Sequence, residues 1–390
     1  MTNQTPSRQP LTVELQALDS AHFLHPFTDH QGLAAKGARI ITRADGIHVW
    51  DSEGHQILDA MSGLWCVNAG YGRRELAEAA YRQMLELPYY NSFFQTTTEP
   101  AVRLAARLSE LAPPVGGRRF SHVFFSSSGS ESNDTNVRLV RRYWDLMGQP
   151  RRKVIISRIN AYHGSTMAGA SLGGMSGMHA QGDLPLPDIT HIQQPYWYGL
   201  SQPGESRDDF GRRAARWLED KILEVGPERV GAFIAEPVQG AGGVIVPPPN
   251  YWPLVRQICD KYGVLLIADE VVTGFGRSGE LFGTRLWGVN ADMWCLAKGI
   301  SSGYIPLGAT AINRRIADVF DADTTGTASV SHGYTYSAHP IAAAAALATL
   351  DQIEAAYKRL ARERHPDSGG STAMMSELNI ARDQARKERG

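Results

Sequence analysis

Apolar positions along this chain follow two rhythms. Between Ile40 and Ala60 they come in short bursts, Ile40-Ile41-Thr42, Ile47-His48-Val49-Trp50-Asp51 and Ile57-Leu58-Asp59. Gly46 and Gly54 punctuate them, which predicts short strands joined by turns. Beyond Val123, unbroken apolar runs alternate with helical periodicity. Val123–Phe125, Val154–Ile156, Val230–Ala235, Val264–Ile267, Met293–Leu296 and Ala309–Ile312 read as buried strands. Glu75–Leu87, Glu131–Met147, Ala214–Val225 and Tyr251–Tyr262 read as helices, the first stopped by Pro88 and the last capped at Gly263. Strands apolar on both faces and spaced by helices predict an α/β fold with a mostly parallel sheet covered on both sides. No internal repeat is visible. The expected division is 1–59 as the N-terminal segment of a small domain, 60–340 as the large domain, and 341–390 as the start of a C-terminal segment running into a charged tail. That tail holds 13 charged residues in the 33 from Lys358 to Gly390, and only Arg382–Arg389 within it suggests a short helix.

Composition narrows the class. With 39 Lys and Arg against 40 Asp and Glu in 390 residues, the net charge of −1 offers no field to hold a phosphate backbone, so nucleic acid is not expected as a partner. Glycine is abundant, at 39 residues, which suggests many tight turns or backbone-lined sites. The three cysteines, Cys66, Cys259 and Cys295, match no zinc spacing and cannot form a disulfide framework, so no metal and a reducing compartment are expected. Met1–Pro10 is polar, and the Ala-rich run Ile341–Leu350 is well short of the ~20 residues of a membrane span. These features predict a cytoplasmic protein without a membrane partner.

In open parallel sheets, ligands bind where the carboxyl ends of the strands face a crevice. Four strand ends carry unusual residues. Ser126-Ser127-Ser128-Gly129-Ser130-Glu131, between a strand and a helix, reads as an anion cradle at a helix N-terminus or as a plain capped turn. Asn160-Ala161-Tyr162-His163-Gly164 could stack an aromatic on a flat ring or merely anchor a loop. Asp269, ending an apolar strand, demands a cation or donors unless it caps a turn. Lys298, directly after Met293–Leu296, places its amine in the crevice, where lysine forms Schiff bases, or reaches water. Gly274-Phe275-Gly276-Arg277-Ser278-Gly279 matches the dinucleotide G-x-G-x-x-G pattern, but no helix follows and Asp269–Thr273 separate it from the strand. No H-E-x-x-H, C-x-x-C or G-x-S-x-G occurs. Cradle, ring-stacking aromatic, acid and lysine together are the protein side of pyridoxal-phosphate chemistry.

These residues resemble the class III pyridoxal-phosphate aminotransferases of fold type I. Asp269-Glu270-Val271 through Gly274, then Asp292-Met293 and Ala297-Lys298, look like that family's lysine-attachment signature. Gly63–Asn68, Tyr89–Phe94, Gln194–Trp197, Ala235–Gly240 and His332–Ser337 extend the likeness, which runs from about Ala21 to Ile353 and is nearest to omega-amino acid–pyruvate transaminases of the β-alanine or putrescine type. The resemblance implies pyridoxal 5′-phosphate bonded to Lys298, which would also move the proton between substrate and cofactor. It implies that Asp269 pairs with the ring nitrogen, that Tyr162 and Val271 pack on the two ring faces, and that Ser128, Gly129 and Ser130 bind the phosphate. Thr335 would reach the phosphate of a neighbouring subunit in a homodimer. Trp65 and Phe94 would line the substrate pocket and Glu236 would sit near its mouth, with an amine donor and pyruvate as substrates. Family members usually continue past the helix starting near Pro340 and supply from there an arginine for a substrate carboxylate. Here the likeness fades after about Ala355, so a truncated or altered member with an incomplete small domain is expected. Arg359, Arg362 and Arg364 are the candidates for that arginine's task. An active transaminase and a non-catalytic remnant are both left open.

Overall fold

Two sheets organise the chain, whose computed structural model describes residues 8–111, 120–324 and 326–363. β1 (Ile41–Asp45), β2 (His48–Asp51) and β3 (Gln56–Leu58) form a small antiparallel meander. Gly46 makes the first of its turns at φ +56°, a conformation that glycine adopts without strain. The large sheet contains β4 (Phe120–Ser126), β5 (Val154–Arg158), β6 (Ile189–Ile192), β7 (Val230–Ala235), β8 (Leu265–Asp269), β9 (Met293–Leu296) and β10 (Gly308–Asn313). Their spatial order is β4-β10-β9-β8-β7-β5-β6. The β5–β6, β5–β7, β7–β8 and β8–β9 pairs are parallel, whereas β10 runs antiparallel to both β4 and β9. The sheet is therefore mainly parallel, as the apolar runs predict.

Those runs are apolar because each strand feeds two cores. Successive side chains point to opposite faces. Ile156, Phe233, Leu266, Ala268, Trp294 and Leu296 enter one cluster, packed by the helices Arg207–Val225 and Tyr251–Tyr262. Ile155, Ala232, Ile234, Leu265, Ile267 and Met293 enter the other, covered by the helix Gly129–Leu146. The helix Tyr251–Tyr262 buries Tyr251, Trp252, Val255, Arg256 and Cys259, a single stripe, and ends at Gly263 in the left-handed region (φ 68°).

Several boundaries differ from the sequence pattern. The helix read from Ala214 begins at Arg207, where Ser206 caps it by accepting from Asp209 N. The strand β6 and the helix Glu99–Leu111 are not among the elements expected above. β6 lies at the sheet edge with its two central residues half-exposed, so it lacks the apolar run of its neighbours. The helix Pro340–Glu363 continues through Arg359 into the stretch read as charged tail. It sets Ala342, Ala343, Ala346 and Leu350 into the first core and packs on the helices Arg74–Glu86 and Glu99–Leu111. Arg364 and Arg382–Arg389 lie outside the described residues. Among the described residues, no helix is long and apolar enough to cross a membrane.

Candidate active site

The carboxyl ends of the parallel strands converge on a cavity of about 330 Å³. Trp65, Ser128, Gly129, Ser130, Tyr162, Glu236, Asp269, Val271 and Lys298, spread over 234 positions of sequence, all line it. Parallel strands in register bring those ends to one edge, so the convergence follows from topology.

β4 delivers the first group. Ser128 is the N-cap of the helix Gly129–Leu146, its hydroxyl accepting from Glu131 N, while Glu131 reaches back to accept from Ser127 N (2.7 Å). The amides of Gly129 and Ser130 have no acceptor within the helix and stand at the positive end of its dipole. Space there is tight. A Cβ on Gly129 would lie 2.9 Å from Val271 Cγ2, so any side chain at 129 would collide with Val271, and this wall of the cavity holds its shape only while position 129 is bare.

β5 delivers Tyr162 and His163. Gly164, at φ +130°, lets this loop approach the cradle so closely that a Cβ would fall 2.7 Å from Ser130 Cα. Ser165 N completes the junction by donating to Ser130 Oγ (3.0 Å). β7 delivers Glu236, which the family resemblance implies near the pocket mouth. Its carboxylate is instead part of the wall and nearly inaccessible, accepting from Tyr162 N (3.2 Å) and Gly240 N (2.7 Å). Burial pushes its pKa up, and the charges of His163 and Arg158 only partly oppose this.

β8 ends in Asp269, 3% exposed. Its Oδ2 accepts from Asn133 Nδ2 (2.9 Å) and from His163 Nδ1 (2.7 Å), and its Oδ1 from Val271 N (3.2 Å). Asn133 also donates to the carbonyl of His163, so helix and loop are joined behind the carboxylate. Asn133 is not singled out by the sequence, and His163 appears there only within the ring-stacking motif, not as a partner of Asp269. The available signals were local: Asn133 lies one helical turn after Gly129, and His163 directly follows Tyr162. Neighbouring Glu270 is fully buried and accepts from Thr273 Oγ1, Thr284 Oγ1 and the amides of Gly283 and Thr284, which pins the following loop.

β9 delivers Lys298. It opens a short 3₁₀ turn, Lys298–Ser301, with φ +50°, unusual for a residue bearing a side chain. Burial lowers its pKa and Asp269 pulls it back up, so the amine gives up its proton more readily than an exposed lysine. Its Nζ lies 5.7 Å from the Trp65 ring centroid. Phe94 and Thr335 do not line this cavity. Phe94 is 90% exposed, and Thr335 is exposed on a segment tied to Phe94's own by the Tyr89 hydroxyl donating to Thr335 O and the Ser92 hydroxyl to Ser337 O.

The set can hold a flat ligand that carries an anionic group, a protonated ring nitrogen and an electrophilic carbon for an amine. Comparison with known proteins agrees. The sequence profile of aminotransferase class-III matches residues 33–365. The chain is 57% identical over 340 residues to a putrescine–pyruvate aminotransferase of Pseudomonas aeruginosa, covering 87% of this chain and 72% of that protein. It is 41% identical over 348 residues to the mitochondrial gamma-aminobutyrate transaminase 1 of Oryza sativa subsp. indica, covering 89% and 67%. A thermostable (S)-enantioselective omega-transaminase from Thermomicrobium roseum superposes with a TM-score of 0.84 at 44% identity, covering 90% of this chain and 77% of that one. The omega transaminase of Pseudomonas jessenii in complex with PMP also gives 0.84, at 41% identity, covering 90% and 78%. With its fold, strand-end chemistry and family profile in agreement over most of its length, the chain belongs to the class-III aminotransferases.

Proposed function

We propose that this aminotransferase moves an amino group from an ω-amino acid or ω-amine to pyruvate, giving alanine. The observation that carries the reading is the single cavity uniting Lys298, Asp269 and the Ser128–Ser130 cradle, together with the putrescine–pyruvate and omega-transaminase relatives. Pyridoxal 5′-phosphate is the family's cofactor, and the residues fit it: a bare Gly129 packed beside Val271, free amides at a helix N-terminus, a buried carboxylate and a buried amine, all lining one cavity. When bound, it supplies an aldehyde to take up nitrogen and a protonated ring to accept the electron pair released at the substrate carbon.

The chain's own residues then divide the work. Ser128, Gly129 and Ser130 bind the phosphate at the helix dipole. Asp269, anchored by Asn133 and His163, would face the ring nitrogen and pair with its proton. Tyr162 and Val271 pack against the ring. Lys298 would hold the cofactor's aldehyde carbon through its amine and, once the donor's amine has displaced it, would carry the proton to and from the substrate carbon, a task helped by its lowered pKa. Trp65 and Glu236 shape the donor side of the cavity.

Phe94 and Thr335 complete the site of a second copy in a homodimer. Their exposure on linked segments outside their own cavity supports this role. Nothing in the described residues favours a non-catalytic remnant, since every residue assigned to the cofactor within one subunit lines the cavity. The test is to follow alanine formation from pyruvate with 1,4-diaminobutane and with β-alanine, and to map the borohydride-fixed cofactor. Label on Lys298 and pyruvate-dependent alanine are expected. Label on another lysine, or no alanine from either donor, refutes the reading.

A further inference from the structure

Gly274-Phe275-Gly276-Arg277-Ser278-Gly279, the motif that matched a dinucleotide pattern, does different work. It lies in the loop after β8, folded back on itself by the amides of Phe275 and Gly276, which both donate to Leu281 O. From this loop Arg277 Nη2 donates to Asn68 Oδ1 (2.5 Å) and Ser62 Oγ (3.3 Å). Asn68 replies in the opposite sense, its Nδ2 donating to Phe275 O (3.1 Å) and Gly274 O (3.4 Å). Two loops more than 200 residues apart are thus held by a two-way clasp.

The clasp flanks Trp65. That ring spans the cavity wall from Lys298 to Gly240, where an added Cβ would fall 3.0 Å from Trp65 Cζ3. Yet the segment Ser62–Trp65 contains no buried residue. Ser62, Gly63 and Trp65 have φ of 54°, 71° and 58°, and two of these three are not glycine. Backbone of this kind, with no apolar anchor, persists only where neighbouring contacts over-determine it. Asp59 provides one such set, its Oδ2 accepting from Gly63 N (2.6 Å) and the Tyr71 hydroxyl (2.8 Å). The clasp provides another, and Ala69 N, donating to Ser302 Oγ (2.9 Å), binds the same segment to the turn that carries Lys298. Gly299 in that turn leaves room for Asn68, whose Nδ2 would stand 2.5 Å from a Cβ there.

We propose that Arg277 and Asn68 are positioning residues for the amine donor: by clasping the two loops they set where the Trp65 ring stands relative to Lys298, and so the size of donor the cavity admits. The inference rests on the reading of Trp65 as a substrate wall. The test uses the cofactor-loaded enzyme as wild type, Arg277→Ala, Arg277→Lys and Asn68→Asp. Amide hydrogen exchange is measured across residues 62–70 and across β8, and kcat/KM is measured for linear 1,4-diaminobutane and for bulky 1-phenylethylamine, each with pyruvate.

Arg277 is exposed, so Arg277→Ala should keep its melting temperature. Exchange across 62–70 should rise about tenfold with β8 unchanged, since only a local opening is eased. The ratio of kcat/KM for the bulky to the linear amine should rise roughly five- to tenfold, mainly through KM. Arg277→Lys retains a charged donor and should restore most of both effects. Asn68→Asp keeps the acceptor for Arg277 but sets an oxygen against Phe275 O, and should reproduce the shift with Arg277 in place. Unchanged exchange in both Arg277→Ala and Asn68→Asp, or an equal loss on both amines, overturns the proposal. If wild type converts neither amine, the substrate reading fails, while hydrogen exchange still decides whether Arg277 and Asn68 hold the Trp65 segment.

Discussion

Replacing Asp269 with Asn leaves one acceptor oxygen where the carboxylate offers two. Three donors converge there in a site 3% exposed: Asn133 Nδ2 and His163 Nδ1 on one oxygen, Val271 N on the other. If the new amide oxygen takes the place of Oδ2, its NH₂ faces Val271 N–H. If the amide is turned over, its NH₂ faces Asn133 and His163 instead. His163 could yield by moving its proton to Nε2, but that nitrogen is buried without a partner. Asn133 is constrained too, since it donates to His163 O and accepts from Asn136. At least one buried donor is orphaned in either arrangement, at about 1–3 kcal/mol of stability. The chemical loss is separate. Without an anion beside the ring nitrogen, the step that releases electrons into the ring should slow by about 10²–10³, comparable with losing one positioned group in a dry site. The assay is single-turnover absorbance with an amine donor alone, then with pyruvate alone, alongside thermal melts of the apo form. Cofactor binding should fall less than turnover, because the Ser128–Ser130 cradle is untouched. Turnover within about threefold of wild type, with an unchanged melt, would refute both the electronic role and the hydrogen-bond argument.

Two further outcomes follow from geometry and from titration. A Cβ at Gly174 would fall 2.3 Å from Arg158 O and 2.7 Å from Ile159 Cα, backbone atoms that cannot swing aside, whereas one at Gly177 meets nothing. Gly174→Ala should therefore cost about 1–3 kcal/mol and Gly177→Ala should be neutral or slightly stabilising, with equal melting temperatures counting against the reasoning. Burial lowers the pKa of His191, and its hydrogen bond to Gly173 O and the His179 ring 5.2 Å away leave the net shift downward. The folded form thus refuses a proton that the unfolded chain accepts below about 6.5. Stability is full above that value and is lost as pH falls through it toward the depressed folded pKa. Between pH 7.5 and 5, wild type should lose more stability than His191→Gln, and parallel curves would remove His191 from the account.

How much of this was legible in the chain depends on the range of the interaction. Strands β5, β7, β8, β9 and β10 were readable because a strand buried on both faces must be apolar at every position. The helix Glu99–Leu111 was readable in principle: Pro100 sits at its start, and Ala101, Leu104 and Leu108 recur along one face. β6 was not, because an edge strand with half-exposed Thr190 and His191 has no such signature. The direction of β10 was equally hidden, since an apolar run looks the same whichever way it points.

The sequence by itself determined the identities at the strand ends: a cradle of small residues before a helix, an aromatic, an acid and a lysine, each following an element whose local pattern placed it. Tertiary structure decided their company. Asn133 and His163 meet Asp269 from 136 and 106 residues away, a pairing made by sheet order and not by spacing. Glu236 moved from the pocket mouth into its wall because two backbone amides, of Tyr162 and Gly240, were there to receive its carboxylate. Phe94 and Thr335 lie outside the lining of their own chain's cavity, and Arg277 exchanged a nucleotide-like motif for a grip on Asn68. Local propensity is written residue by residue, but a buried polar group finds its partners only after the whole sheet has closed, and the cost of leaving it unpaired is what selects them.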